Sequence, residues 1–465
     1  SLLATDRTYN GFTYEDQTDN YTQDHYQLLY SASVTPGLNF NGALHYTAGR
    51  GYYEEFKEDA ELAAYGISPV VIGTTTLDNS NLVRRRWLKN DFYGLTYSMN
   101  YHPSDGLNLT LGGAYNEYDG DHFGEVIWAQ YASDSNIRHR YYDGNGFKTD
   151  FNIFGRAEYA PGKLGVFTDL QFRAVGYTVS GTDKNRNLLD VDDNLRFFNP
   201  KFGVTYELGP QANIYASYAV GNKEPNRDDY INSMAATPPR PETLQNLEAG
   251  YRLNTKTFRG GINGFAMLYR DQLILTGKIN DVGEYIRQNV PDSYRIGLEM
   301  DARIQLARNL VWSPTLSLSE NKIRSFTEYV DDYDNGGQIV NQYSYTDIAF
   351  SPAVVASSEL AYVPARKIEL ALLSRYAGSQ YLDNTSSKSR RIDPFFVSDL
   401  RLRYNTSLAR VKNIGVTLLI NNVFSERYEA NGYTFSYRYD GTLTTENFYF
   451  PQATRNFMLG VNLKF

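Results

Sequence analysis

The chain has 465 residues, a formal charge of −8, no cysteine and five histidines; 42% of it is hydrophobic and it carries 40 tyrosines. The acidic balance removes the basic footprint that nucleic-acid binders need, and the lack of cysteine excludes disulfide frameworks and thiolate metal sites. A mean hydropathy of −0.49 with no run of about 18 apolar residues excludes a membrane helix but not a membrane strand, where only alternate side chains meet lipid.

Alternation of apolar and polar residues marks about 17 strands. In chain order they are residues 20–33 and 36–51, 84–102 and 106–118, 147–160 and 163–180, 195–207 and 210–221, 241–253 and 256–270, 284–306 and 309–325, 349–363 and 366–378, 391–408 and 411–424, and finally 452–465. Within each pair the connection is tight: Thr35-Pro36-Gly37, Pro103-Ser104-Asp105-Gly106, Pro161-Gly162, Gly209-Pro210, Asn254-Thr255-Lys256, Ala307-Arg308-Asn309, Pro364-Ala365-Arg366 and Ala409-Arg410. Between pairs lie polar stretches of about ten to thirty residues. Soluble sandwiches and propellers scatter their loop lengths, and propellers carry an internal repeat that is absent here; strict short-long alternation is the pattern of a membrane barrel.

The strands agree with that pattern. In 411–424, Ile414, Val416, Leu418 and Ile420 alternate with Asn413, Gly415, Thr417, Leu419 and Asn421, and in 456–465 Phe457, Leu459, Val461, Leu463 and Phe465 form one stripe. Glu242, Asn246, Glu248 and Gly250 oppose Leu247, Ala249 and Tyr251, which fixes the lipid face because a charge there costs a few kcal/mol. The tyrosine excess suits a protein with two membrane interfaces. The predicted fold class is all-β, a transmembrane antiparallel β-barrel, with residues 1–465 as one domain. A final strand that leaves a long stretch ends on the short-turn side, where an even barrel must also begin. The first strand instead follows residues 1–19, which read as the tail of a long loop. An odd number of further strands is therefore expected upstream, since an open edge cannot stand unpaired in lipid.

Four segments carry a resemblance: Pro451-Gln452-Ala453-Thr454-Arg455-Asn456-Phe457 with Gly460 and Phe465; Asn421-Asn422-Val423-Phe424 with Tyr428; Gly221-Asn222-Lys223-Glu224-Pro225-Asn226-Arg227; and Pro241-Glu242 with Leu244, Asn246, Glu248 and Gly250-Tyr251. Together they resemble the barrel of TonB-dependent outer-membrane receptors, most strongly those of Bacteroidetes. Such receptors have about 22 strands around a plug, so about 17 strands here leave an odd deficit of five, as the orientation argument requires. The plug, the first strands and a TonB box are not among these residues.

The resemblance implies a bacterial outer-membrane location, with the long loops extracellular and the C-terminus periplasmic. It implies a monomeric barrel in contact with the lipid bilayer and lipopolysaccharide, the TonB complex acting through a plug, and a small-molecule ligand. No cofactor, resident metal or catalytic residue is implied. Iron chelates such as ferric siderophores come first as ligand and cobalamin second. The alternatives are a passive porin and a barrel enzyme, although no nucleophile motif stands out.

Ligand capture would fall to aromatic and charged side chains of the long loops. Tyr52 and Tyr53 with Arg84, Arg85, Arg86 and Trp87 form a cationic fork beside aromatics, fit for an anionic aromatic ligand or for lipopolysaccharide. Trp128, Tyr131, Arg138, His139, Arg140, Tyr141 and Tyr142 repeat that character. Asn226, Arg227, Asp228 and Asp229 would bond a ligand or order their own loop, and Tyr329, Tyr333 and Tyr343 would face a ligand or pack on one another. The acidic runs Asp190, Asp192, Asp193 and Asp331, Asp332, Asp334, Asn335 lack calcium-loop spacing, and no histidine pair has zinc spacing.

Overall fold

Alternation becomes pairing in the structure, a computed structural model that describes all residues except 1, 133–134, 233–237, 280–284 and 409. Among the described residues, twenty strands form one sheet. They are β1 Asp19–Thr35, β2 Leu38–Glu61, β3 Asn79–Ser104, β4 Leu107–Ala129, β5 Tyr142–Tyr159, β6 Leu164–Thr182, β7 Leu188–Gly209, β8 Ala212–Lys223, β9 Glu242–Asn254 and β10 Phe258–Ile279. The second half comprises β11 Tyr285–Ala307, β12 Leu310–Asp332, β13 Gln338–Asp347, β14 Val354–Ala365, β15 Ile368–Ala377, β16 Phe395–Leu408, β17 Val411–Asn421, β18 Glu429–Tyr439, β19 Thr442–Pro451 and β20 Asn456–Lys464.

Seventeen of these are staves of one antiparallel wall in which each pairs with its sequence neighbours: β1 to β12, then β14 to β17, then β20. They match the strands read from the sequence. The other three are loop structure: β13 folds back on the upper half of β12, and β18 and β19 form a hairpin between β17 and β20. Short ladders, three-residue Val70–Ile72 with Thr75–Leu77 and two-residue Gln380–Tyr381 with Arg391–Ile392, lie in two other long loops.

The register puts apolar residues in line across the wall. Leu402, Leu418 and Leu459 are successive partners on β16, β17 and β20, as are Leu400, Ile420 and Phe457. This face is bare of protein: Leu459 is 70% exposed and Leu28 66%. So broad an apolar surface is stable only against lipid. The opposite face carries polar ladders, among them Tyr215 bonded to Asn263 and Ser374 to Ser398.

At one end the staves turn tightly. Gly37 (φ +82) and Gly106 (φ +78) occupy the left-handed region, and a Cβ would come within 2.8 Å of the His102 carbonyl and 2.7 Å of the Ala160 carbonyl respectively. Glycine alone fits there without strain.

At the other end the strands run further than the alternation suggested. β2 continues to Glu61 and β3 begins at Asn79, while only residues 183–187 separate β6 from β7. Above the lipid both faces are polar, so pairing persists where the apolar period has faded. The loop 183–187 closes on the Asp183 carboxylate, which accepts from the backbone N–H of Asn185 at 2.9 Å and of Asn187 at 2.7 Å.

Candidate functional site

The first predicted cluster is split by the period of its own strands. Tyr52 pairs with Trp87, and Tyr53 with Arg86. On β3 the residues Tyr93, Leu95, Met99 and Tyr101 share the outward face, so Arg85 and Trp87 point outward and Arg84 and Arg86 inward. Outside, Arg85 lies 4.1 Å over the Tyr52 ring, Tyr52 is 4.6 Å from Trp87, and Trp87 stacks on Phe123 at 5.9 Å. Inside, Arg84 is buried and occupied: it donates to Glu55 at 2.8 and 2.9 Å and to the Tyr65 hydroxyl at 3.1 Å. Residues Leu62, Tyr65, Ile67 and Val70 of the loop after β2 pack there against Leu82, Val126, Tyr141 and Tyr142. Tyr53 accepts from Gln17 at 3.1 Å.

The second cluster divides likewise. Tyr141 and Tyr142 are in that buried cap, whereas Arg140 lies 3.8 Å over Phe123 and pairs with Asp143 at 3.0 Å. His139 Nδ1 is 2.6 Å from the Asn136 carbonyl, and Trp128, Tyr131 and Arg138 are exposed.

The third cluster builds the entry to a cavity. Asn226 caps the short helix Arg227–Asn232: its Oδ1 accepts from the Asp229 N–H at 2.9 Å while the Asp229 carboxylate accepts from the Asn226 N–H at 2.8 Å. This reciprocal pair is capping-box geometry. Asp229 also accepts a guanidinium fork from Arg287 at 2.9 and 3.2 Å. Glu224, just before, takes Lys148 at 2.5 Å and Arg173 at 2.7 and 2.8 Å, which ties this loop to β5 and β6. Burial pushes the Glu224 carboxyl up, but the bonds from Arg173 and Lys148 outweigh it and hold the group at about 2. Arg227 lies along the wall at Gly146 and is 3.6 Å from Asp228.

The cavity measures about 740 Å³ and lies between that helix, the long-loop ends of β10, β11 and β12, the loop before β16, and β18. Its far wall is an ion triad: one Arg390 nitrogen donates to Glu328 at 2.5 Å and to Asp383 at 2.7 Å, with all three side chains about a tenth exposed or less (11%, 12% and 7%). Beyond Leu318, β12 leaves β14 and pairs with β13, so Glu328 stands above the spanning wall. Burial raises the Glu328 carboxyl, yet Arg390, Asn341 and Tyr343 together hold it below the usual range. Tyr343, which donates to Glu328 at 2.9 Å, is pushed up to about 12 by burial and then by that bond.

The loop carrying Asp383 and Arg390 is itself pinned. Asn384, 0% exposed, donates to the Leu275 carbonyl at 2.6 Å and accepts from the Ala349 N–H at 2.8 Å. Arg240 closes the rim by pairing with Asp271 at 2.7 Å. Phe326, Tyr329 and Phe435 supply aromatic surface.

Of the three tyrosines read from the sequence, Tyr329 lines this cavity, Tyr343 supports its wall through Glu328, and Tyr333 packs on Tyr437 at 6.0 Å. The acidic runs serve local structure. Asp193 accepts from Tyr230 at 2.6 Å, Asp332 from the backbone of Asp334 and Asn335, and Asp334 from the N–H groups of Asp440 and Gly441 at 2.7 and 2.9 Å. Arg287, Glu328, Asp383 and Arg390 were not singled out from the sequence. Glu328, Asp383 and Arg390 lie in polar stretches with no period, Arg287 lies near the start of a strand, and Arg287 and Glu328 find partners 58 and 62 residues away.

A family model described as TonB dependent receptor-like, beta-barrel, matches residues 2–423. The catecholate siderophore receptor Fiu of Escherichia coli (strain UTI89 / UPEC) is 22% identical over 286 residues, which is 60% of this chain and 34% of that receptor. The crystal structure of the ferric-catecholate import receptor Fiu from K12 E. coli, closed form, superposes with a TM-score of 0.65 at 13% identity, over 97% of this chain and 65% of that one. The copper transporter OprC gives 0.68 at 14% identity, over 95% and 65%. The chain thus spans about a third of the length of the curated relatives it matches and just under two thirds of these solved structures. The structural likeness shows the fold, and the family match shows the kinship: the chain belongs to the TonB-dependent receptors and forms their transmembrane β-barrel.

Proposed function

We propose that the chain forms the wall of a bacterial outer-membrane receptor that captures an iron chelate on its long-loop side and imports it with energy from the TonB complex. The observation that carries this reading is the cavity of about 740 Å³ among the long loops, lined by charged, polar, aromatic and aliphatic side chains and within the range of roughly 300–1,000 Å³ for small-molecule sites. The names of the relatives support iron: catecholate siderophores for one, ferric citrate for another and pyoverdine for a third. One of these names is of an import receptor and another of a transporter, so binding without chemistry on the ligand is the activity proposed.

The long loops then face outward and the short turns and the end of β20 face the periplasm. Among the described residues β1 pairs only with β2, and β20 only with β17. Two such edges have no hydrogen-bond partners in lipid, which supports a wall completed by about five further strands around a plug. The test is uptake of radioactive iron by a strain lacking the receptor. Loss of uptake from one class of chelate, restored by the gene and abolished again without TonB, supports the proposal. Uptake that persists without TonB would instead make the barrel a passive channel.

A further inference from the structure

The charge inside the cavity narrows the ligand, on the reading that the receptor takes iron chelates. The described lining holds three guanidinium groups, Arg240, Arg287 and Arg390, and three carboxylates, Asp229, Glu328 and Asp383. Every guanidinium is matched: Arg287 to Asp229 at 2.9 Å, Arg390 to Glu328 and Asp383 at 2.5 and 2.7 Å, and Arg240 to Asp271 at 2.7 Å. The remaining surface is hydroxyl, amide, aromatic and aliphatic, the last from residues such as Leu273, Ile286, Val290 and Val330.

A ligand of high negative charge would have to shed its water at such a wall. It would meet as much carboxylate as guanidinium, so no net attraction would offset the desolvation. A neutral ligand loses little on entry and gains hydrogen bonds and aromatic contact. We infer that this cavity selects an uncharged chelate, one in which three bidentate, singly charged groups such as hydroxamates cancel the charge of iron(III), over a tris-catecholate complex of charge about −3. This departs from the catecholate named for the curated relative. The cationic fork that would favour a catecholate has its outward half, Arg85 with Tyr52 and Trp87, on the outside of the wall.

The experiment measures binding to the full-length receptor in detergent by fluorescence quenching, with a neutral ferric trihydroxamate and a ferric tris-catecholate as probes, at low and high salt. The trihydroxamate is expected to bind at least about tenfold tighter, with an affinity that salt leaves nearly unchanged because no net charge is being paired. The variant Glu328→Gln leaves Arg390 paired with Asp383 and makes the cavity one charge more positive. It should improve tris-catecholate binding several-fold at low salt, with the gain disappearing at high salt, and so narrow the preference for the trihydroxamate. Tighter binding of the tris-catecholate by the unmodified receptor overturns the inference and leaves the iron-chelate reading intact. Binding of neither chelate overturns both.

Discussion

Arg390→Gln is the sharpest test of how the cavity wall is held. The guanidinium is about 11% exposed and bridges two carboxylates, so its removal leaves Glu328 and Asp383 facing each other without a cation. Breaking a buried pair by deleting one partner costs roughly 3–5 kcal/mol. Because the triad faces a wet cavity, we take the lower end, about 3 kcal/mol, or roughly a hundredfold in an opening equilibrium. That cost falls on the loop rather than the barrel, since the staves are joined by their own ladders. The readout is hydrogen exchange of the amides that the loop protects, namely Leu382, bonded to the Arg390 carbonyl at 2.9 Å, and Ala349, bonded to Asn384 at 2.8 Å. They should exchange about a hundredfold faster, while amides of β14 to β17 keep their protection. Unchanged exchange at Leu382 and Ala349 would refute the claim that the triad holds the loop.

Three further outcomes follow from the same geometry. Leu95→Arg places a charge on the lipid face, and folding into bilayers measured by gel shift should lose roughly 2–4 kcal/mol; Thr96→Arg, one residue on and facing the lumen, should cost little. If both are equally harmful, the register argued for β3 is wrong. Gly106→Val forces a side chain into the left-handed turn against the Ala160 carbonyl and should lower barrel yield on refolding, with Gly106→Asn milder because asparagine tolerates that region. Glu224 has a depressed folded pKa, so its contribution is present above the ordinary value of 4.5 and is lost as the pH falls toward about 2. Protection of the helix Arg227–Asn232 should weaken over that window, and Glu224→Gln should remove the pH dependence.

The wall was legible because lipid imposes one rule on every stave. A stripe such as Ile414, Val416, Leu418 and Ile420 can be seen in a single strand, and the short turns at Gly37 and Gly106 then fix which strands are partners. The rule stops where the lipid stops. Tyr52 and Tyr53 are adjacent in sequence and were read as one cluster, yet the period of two sends them to opposite faces, Tyr52 to Trp87 outside and Tyr53 to Arg86 inside. The same period, carried a few residues beyond the apolar stripe, separates them, but the polar extension to Glu61 has no stripe by which the strand can be followed in the sequence.

The cavity has no such rule. Arg390 and Glu328 are 62 residues apart, and Arg287 and Asp229 are 58 apart. Arg390, Glu328 and Asp229 sit in stretches that read as solvated loop and Arg287 at the start of a strand, and only the closure of the loops makes ion pairs of them. Asn384 is the clearest instance: it follows Leu382 and Asp383 in a serine-rich run, with no apolar period around it, and is fully buried. A buried amide must find partners or cost stability. It finds both in backbone groups at Leu275 and Ala349, and thereby fixes the loop that supplies two thirds of the triad. On the reading proposed above, ligand specificity resides in the long-range polar pairs that the loops close, because the lipid rule that sets the wall does not reach them.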